Sequence, residues 1–143
     1  MAIQRRSRRK PLAEAGIETD IAGRHYQTRA IHRIAETFEV QGRCRALVVM
    51  ATGAGKTRTV IAVVDLRMRC NWVKRALFPA DWVALVNQAV KEFTRALPAL
   101  PPVNLVTEKD TDGRVLLSTY PTMMGLIEEM QGDAWRLDVS APA

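Results

Sequence analysis

Between residues 51 and 57 the chain reads Ala51-Thr52-Gly53-Ala54-Gly55-Lys56-Thr57, and such a stretch is suited to a tight glycine turn that opens a helix. Two glycines one residue apart let φ turn positive, and they let backbone N–H groups curl around an anion where a side chain would block the approach. Thr52, Gly53, Ala54 and Gly55 supply that curled backbone. Lys56 then offers an ammonium to the β- and γ-phosphates of a nucleotide, and Thr57 offers a hydroxyl to Mg²⁺. Both open a helix whose N-terminus is itself an anion site. The strict form of this pattern carries a glycine where this chain has Met50, but the Gly-x-Gly-Lys-Thr half is intact.

The flanks agree with this reading. Residues 46–50 form a short, continuous apolar run, the profile of a strand buried on both faces. Past Lys56, the residues Val60, Ile61, Val63, Val64, Leu66 and Met68 return at helical spacing until Asn71. Upstream, Tyr26, Ala30, Ile31, Ile34, Ala35 and Phe38 recur at three- and four-residue steps, which predicts a helix from His25 to about Gln41. By spacing alone Tyr26 is a core aromatic at the start of that helix.

The same alternation continues downstream. A strand is expected over residues 73–78, stopped by Pro79, and then a helix with Val83, Val86, Val90, Phe93 and Leu97 on one face, capped by Asp81. Short strands are expected at 103–106 and 115–120, and Pro121 at a first helical position opens a helix through Met130. Strands alternating with helices imply an α/β fold, a parallel sheet covered by helices on both faces. Residues 1–23 read as a basic, poorly ordered lead-in and residues 131–143 as a loose C-terminal tail.

Charge and cysteine usage narrow the classes further. The chain of 143 residues has a net charge of +6, with 21 Lys and Arg against 15 Asp and Glu. Residues 1–10 hold five of those cations and no acid, which leaves 16 cations against 15 acids elsewhere, so the basicity is a head and not a face. Such a head either stays solvated or holds phosphates electrostatically. No stretch approaches the ~18–20 apolar residues of a membrane span. Cys44 and Cys70 are 26 residues apart, with only His25 and His32 as nitrogen donors, which fits neither a zinc site nor a disulfide scaffold. A soluble protein of the reducing cytoplasm is expected.

Taken together, residues 50–57 resemble motif I of the superfamily 2 helicases and translocases of the DEAD/DEAH-box type. Arg24-His25-Tyr26-Gln27-Thr28-Arg29-Ala30-Ile31 is similar to the Tyr-Gln element that such motors place ahead of motif I. Residues 76–89 are similar to motif Ia, and Ser118-Thr119-Tyr120-Pro121-Thr122-Met123 to the Thr-Tyr segment that follows it. With Asn104-Leu105-Val106-Thr107-Glu108, the set looks most like the motor region of the type I restriction endonuclease R subunit. The resemblance implies a P-loop NTPase (RecA-like) fold, with residues 24–130 as an incomplete first motor lobe. It implies ATP and Mg²⁺ as cofactors, Tyr26 stacking on the adenine and Gln27 reading its edge. It also implies double-stranded DNA and the specificity and methylation subunits of a restriction-modification system as partners.

The sequence departs from that family at informative places. Pro79 and Trp82 stand where motif Ia usually has an aliphatic and a basic residue. Hydrolysis in this class uses an apolar strand ending in Asp-Glu, with the Asp helping to hold Mg²⁺, and no Asp-Glu pair occurs in the chain. Glu128-Glu129 keeps helical spacing with Met123 and Met130, as on a solvated helix face. No catalytic residue is identifiable. The expectation is an ATP-binding motor fragment without hydrolysis of its own. The other readings are a degenerate remnant or DNA-binding piece, and a small P-loop kinase-like enzyme using Asp65 or Asp81 for Mg²⁺.

Overall fold

The computed structural model describes residues 8–128 together with 130, 131, 134 and 135. These fall into two compact units that divide between Val73 and Lys74. Arg5 and Arg6 of the basic head, and residues 132, 133 and 136–143 of the expected tail, lie outside the described residues.

The first unit is built on two helices, α1 (His25–Glu39) and α2 (Lys56–Arg69). The apolar stripe read from the sequence is the one buried: Ile31 and Ala35 of α1 and Ile61 and Leu66 of α2 are all at most 7% exposed. Ile31, Ile34, Ala35 and Phe38 meet Val63 and Leu66, and Leu12 joins them from the preceding coil. Leu12 is 2% exposed, and its backbone N–H donates to Glu39 Oε2 at 3.0 Å. The end of the basic head lies on the turn after α2. Lys10 N donates to Cys70 O at 2.9 Å, Trp72 Nε1 donates to Lys10 O at 2.9 Å, and the Arg9 guanidinium sits 4.6 Å from the Trp72 ring centroid.

The run 46–50 does not form the doubly buried strand expected of it. It has no ladder partner among the described residues, and Leu47 and Val49 are 92% and 86% exposed. A strand persists only where a neighbour takes its N–H and C=O groups, so an apolar run reports a capacity for burial without supplying the partner.

The second unit contains a three-stranded parallel sheet, in the order β1 (Ala76–Ala80), β3 (Val115–Thr119), β2 (Pro102–Asn104). Helix α3 (Val83–Ala96) links β1 to β2, and α4 (Tyr120–Glu128) follows β3 directly. All five residues of the central β3 are buried. Alternation of side chains along a strand assigns the two faces. Leu116 clusters with Leu105 and Leu126, with Leu77, Val103, Met123 and Ile127 packed around them, so this face is covered by α4. Phe78 points the other way, its ring 5.9 Å from that of Phe93 on α3. The sheet is thus flanked by a helix on each side.

Three local expectations are corrected. Strand β1 runs through Pro79, paired with Ser118, where the sequence reading had stopped at Phe78. The strand is at the edge of the sheet, and there a residue without an N–H costs no ladder bond on its open side. Trp82, not Asp81, occupies the N-cap position of α3, with no side-chain cap bond. Helix α4 ends at Glu128, and Met130–Gln131 (β4) pairs antiparallel with Ala134–Trp135 (β5) in place of a last helical turn.

The two cysteines differ sharply. Cys44 is exposed, whereas Cys70 is 1% exposed with its Sγ 4.0 Å from Pro11 O. Burial pushes the Cys70 thiol up by disfavouring the thiolate. A folded pKa above the unfolded one ties stability to the neutral thiol, so this contribution is complete below the ordinary thiol range and is lost as pH rises through the raised value. A thiol reagent at mildly alkaline pH is expected to label Cys44 promptly and Cys70 only after unfolding. Equal labelling rates would contradict this assignment.

Candidate functional site

The glycine turn has the backbone its sequence demands. Gly53 and Gly55 sit at φ +76° and +79°, a region that costs a residue with a Cβ about 1–2 kcal/mol. Gly55 is the N-cap of α2. Its carbonyl accepts the first helical bond from Thr59 N at 3.0 Å and a second from Thr59 Oγ1 at 3.1 Å. The next amides lie in the first turn of the helix, where backbone donors have no intrahelical acceptor and the helix dipole is positive. Ala54 N donates to Ala51 O at 3.2 Å, and Lys56 Nζ folds back to the same carbonyl at 3.2 Å. The loop is therefore a closed turn that delivers Lys56 and Thr57 at a helix N-terminus.

Tyr26 and Gln27 lie against this loop. Tyr26 Oη donates to Ala54 O at 3.1 Å, and Gln27 Nε2 reaches Ala54 O at 3.3 Å and Gly55 O at 3.4 Å. Gln27 is 4% exposed, and its Oε1 accepts from Arg24 N at 3.2 Å. Its amide thus joins the start of α1 to the loop. The fit is close enough that a Cβ on Gly55 would stand 2.6 Å from Gln27 Nε2.

Two cations enter the site that sequence reasoning did not assign to it. A cavity of about 270 Å³ is lined by Gly23, Arg24, Gln27, Gly53, Gly55 and Arg58, so two arginines and no acidic residue line it. Arg24 Nη1 donates to Tyr26 Oη at 2.8 Å, a bond that raises the arginine's pKa further. Arg58 Nη2 donates to Asp20 O at 3.0 Å. Arg58 stands two positions beyond Lys56, and nothing in a single sequence says that it shares a wall with Arg24.

The residues fit a phosphate group: positive-φ glycines, a helix N-terminus, and Lys56, Arg24 and Arg58 nearby. Thr57, which the sequence offers to Mg²⁺, is half-buried in the first turn of α2. Asp65, considered above as a further metal ligand, is bound to Arg69 Nε at 2.7 Å. It stands eight positions after Thr57 on α2, about 12 Å along the axis at the usual helical rise. Among the described residues there is no group of three or more His, Cys, Asp or Glu side chains arranged to hold a metal ion, and no helix is long and apolar enough to cross a membrane.

The chain is similar to the type I restriction enzyme EcoKI endonuclease subunit of Escherichia coli K12, at 39% identity over 75 residues. It is also similar to the type I restriction enzyme EcoAI endonuclease subunit of Escherichia coli, at 42% identity over 65 residues. These matches take in 52% and 46% of this chain but only 6% and 8% of the relatives' own lengths. No solved structure gives a significant match. A family profile described as type III restriction enzyme, res subunit, fits residues 20–137, a span that includes the loop, the Tyr26–Gln27 pair and the whole parallel sheet. On that match the chain belongs to the type III restriction enzyme res subunit family, a helicase-like family of P-loop proteins.

Proposed function

We propose that this chain is the ATP-binding part of a DNA translocase of a type I restriction-modification system. The observation that carries the reading is the turn at Gly53 and Gly55, both at positive φ, delivering Lys56 and Thr57 at the N-terminus of α2. Residues 24–130 form the motor portion. The backbone of Thr52, Gly53, Ala54 and Gly55 holds the phosphates, and Lys56 neutralises the β/γ end. Mg²⁺, when bound, supplies charge neutralisation at the phosphates, and Thr57 offers its hydroxyl to that ion. Tyr26 and Gln27, at the start of α1, take the adenine. Double-stranded DNA and the specificity and methylation subunits are the partners of the whole machine, and the family resemblance supports them.

Hydrolysis is not assigned to this chain. It has no Asp-Glu pair to hold Mg²⁺ and position water. The kinase-like alternative loses one of its two candidate acids, because Asp65 is committed to Arg69.

Equilibrium titration with Mg-ATP tests the reading. Binding is expected, with no measurable turnover. Lys56→Ala should lose one charge-assisted contact, about 1.5–3 kcal/mol or roughly 10- to 150-fold in Kd. Binding that is indifferent to Lys56 would overturn the assignment.

A further inference from the structure

Residues 8–23 contain no helix or strand, yet they are tied to α2 along its length. At the C-terminal end of that helix, Asn71 Nδ2 donates to Arg8 O at 3.4 Å, Trp72 Nε1 donates to Lys10 O, and Pro11 O lies against Cys70 Sγ. Arg69 Nη2 then donates to Gly16 O at 2.8 Å, and in the first turn Arg58 Nη2 donates to Asp20 O at 3.0 Å. The segment therefore runs antiparallel to α2 and arrives beside the glycine loop. Two apolar anchors hold it, Leu12 at the outer end and Ile21-Ala22 at the inner end, whereas six of the eight residues 13–20 between them are exposed. A span with so few buried contacts opens more readily than the packed helices beneath it. Its inner end is a tight turn, in which Ile21 N and Ala22 N both donate to Glu18 O, and a Cβ on Gly23 would stand 2.7 Å from Thr19 O. The next residue, Arg24, is the N-cap of α1. Its N–H fixes Gln27 Oε1, and the Gln27 amide reaches Ala54 O and Gly55 O. A shift of residues 20–24 thus withdraws the acceptor from Arg58 and the donor that orients Gln27.

We propose that residues 8–23 are a releasable strap that holds the glycine loop. While the strap is docked on α2, the loop is fixed through Gln27 and Arg58. Once the outer anchor at Leu12 lets go, the exposed span leaves the inner turn at the end of a frayed chain, and the loop loosens with it. Coupling between sites is reciprocal, so a ligand that binds the fixed loop better also holds the strap down. That consequence for Mg-ATP rests on the nucleotide reading above, whereas the strap itself does not.

The experiment uses the full 143-residue chain with Leu12→Ala and, as a milder variant, Trp72→Phe, which removes the donor to Lys10 O and keeps a ring beneath Arg9. Cys70, buried beside Pro11, reports release of the strap through its rate of thiol labelling. Amide exchange at Ala54 and Thr59, whose N–H groups bond to Ala51 O and Gly55 O, reports the loop, and exchange at Ala62 and Leu66 reports the middle of α2. Leu12→Ala is expected to speed Cys70 labelling about tenfold or more and Trp72→Phe roughly two- to tenfold, with helical circular dichroism and Cys44 labelling unchanged. Ala54 and Thr59 should exchange faster in both variants, and Ala62 and Leu66 at the parent rate. Mg-ATP should bind the variants more weakly and slow Cys70 labelling in Leu12→Ala. Labelling at the parent rate in both variants, faster labelling with Ala54 and Thr59 unchanged, or equal acceleration at Ala62 and Leu66 would each overturn the strap. If Mg-ATP does not bind the parent while the exchange pattern holds, the nucleotide reading falls and the strap stands.

Discussion

Phe93→Ala is expected to destabilise the sheet-bearing unit by about 3–5 kcal/mol, the range for emptying a buried aromatic site. Phe93 is fully buried on α3, and its ring meets that of Phe78 edge-on at 73°. Edge-to-face pairs of this kind add about 0.5–1.5 kcal/mol to area burial. The sheet has few other ways to hold its edge strand on that face, since among the described residues β1 is hydrogen-bonded to β3 alone. Total stabilities of domains are only about 5–15 kcal/mol, so one truncation here removes a large share. Urea unfolding followed by circular dichroism measures it, with Val83→Ala on the same helix as control. Val83 is 47% exposed, and exposed substitutions usually stay within about 0.5 kcal/mol. A Phe93→Ala loss below about 1 kcal/mol would mean that α3 does not anchor the sheet.

Much of this architecture was legible because helices declare themselves locally. The spacing of Ile31, Ala35 and Phe38, of Ile61 and Leu66, and of Val86, Phe93 and Leu97 marked α1, α2 and α3, with starts at or near those observed. Strands are less self-contained, because their backbone groups are satisfied by residues far away in sequence. Residues 115–119 met partners on both sides and became the buried centre of the sheet. The still more apolar run 46–50 met none among the described residues and remains irregular and largely exposed. The composition of the two runs does not predict those outcomes. Pro79 teaches the same point, since its place within β1 depends on that strand being an edge. Leu12 was missed for another reason. It is a single buried leucine in a coil, with no period to betray it.

The site divides along the same line. Glycines at 53 and 55 predict positive φ from chemistry alone, and both have it. The Tyr26–Gln27 pair was marked only by family resemblance, and its bonds to the Ala54 and Gly55 carbonyls span 27 and 28 positions of sequence. Arg58 had no signal, because its place beside Arg24 in the cavity lining depends on how α1 packs on α2.

That long-range contact makes Gly55→Ala the most informative change in the loop. It is expected to abolish the stabilisation that Mg-ATP confers, which for a ligand at ~100 times its Kd is about 2.7 kcal/mol. Two costs combine at this position. A Cβ at φ +79° is strained by about 1–2 kcal/mol, and the same atom would stand 2.6 Å from Gln27 Nε2. The Gln27 amide is the group that can give way, and in doing so it surrenders its bonds to Ala54 O and Gly55 O. Each is a bond of about 0.5–1.5 kcal/mol, in a side chain too buried to find water readily. Gly53→Ala separates the two costs, because φ is +76° there and nothing lies within 4 Å of the added Cβ. Both variants should lose the backbone contribution, while Gly55→Ala alone should loosen the join between α1 and the loop. A double-mutant cycle between Gly55→Ala and Gln27→Ala then reads the contact itself. With Gln27 already truncated, the alanine at 55 should cost only what the alanine at 53 costs. If the cost at 55 is the same whether or not Gln27 is present, the amide does not hold the loop, and the positive φ alone accounts for that glycine.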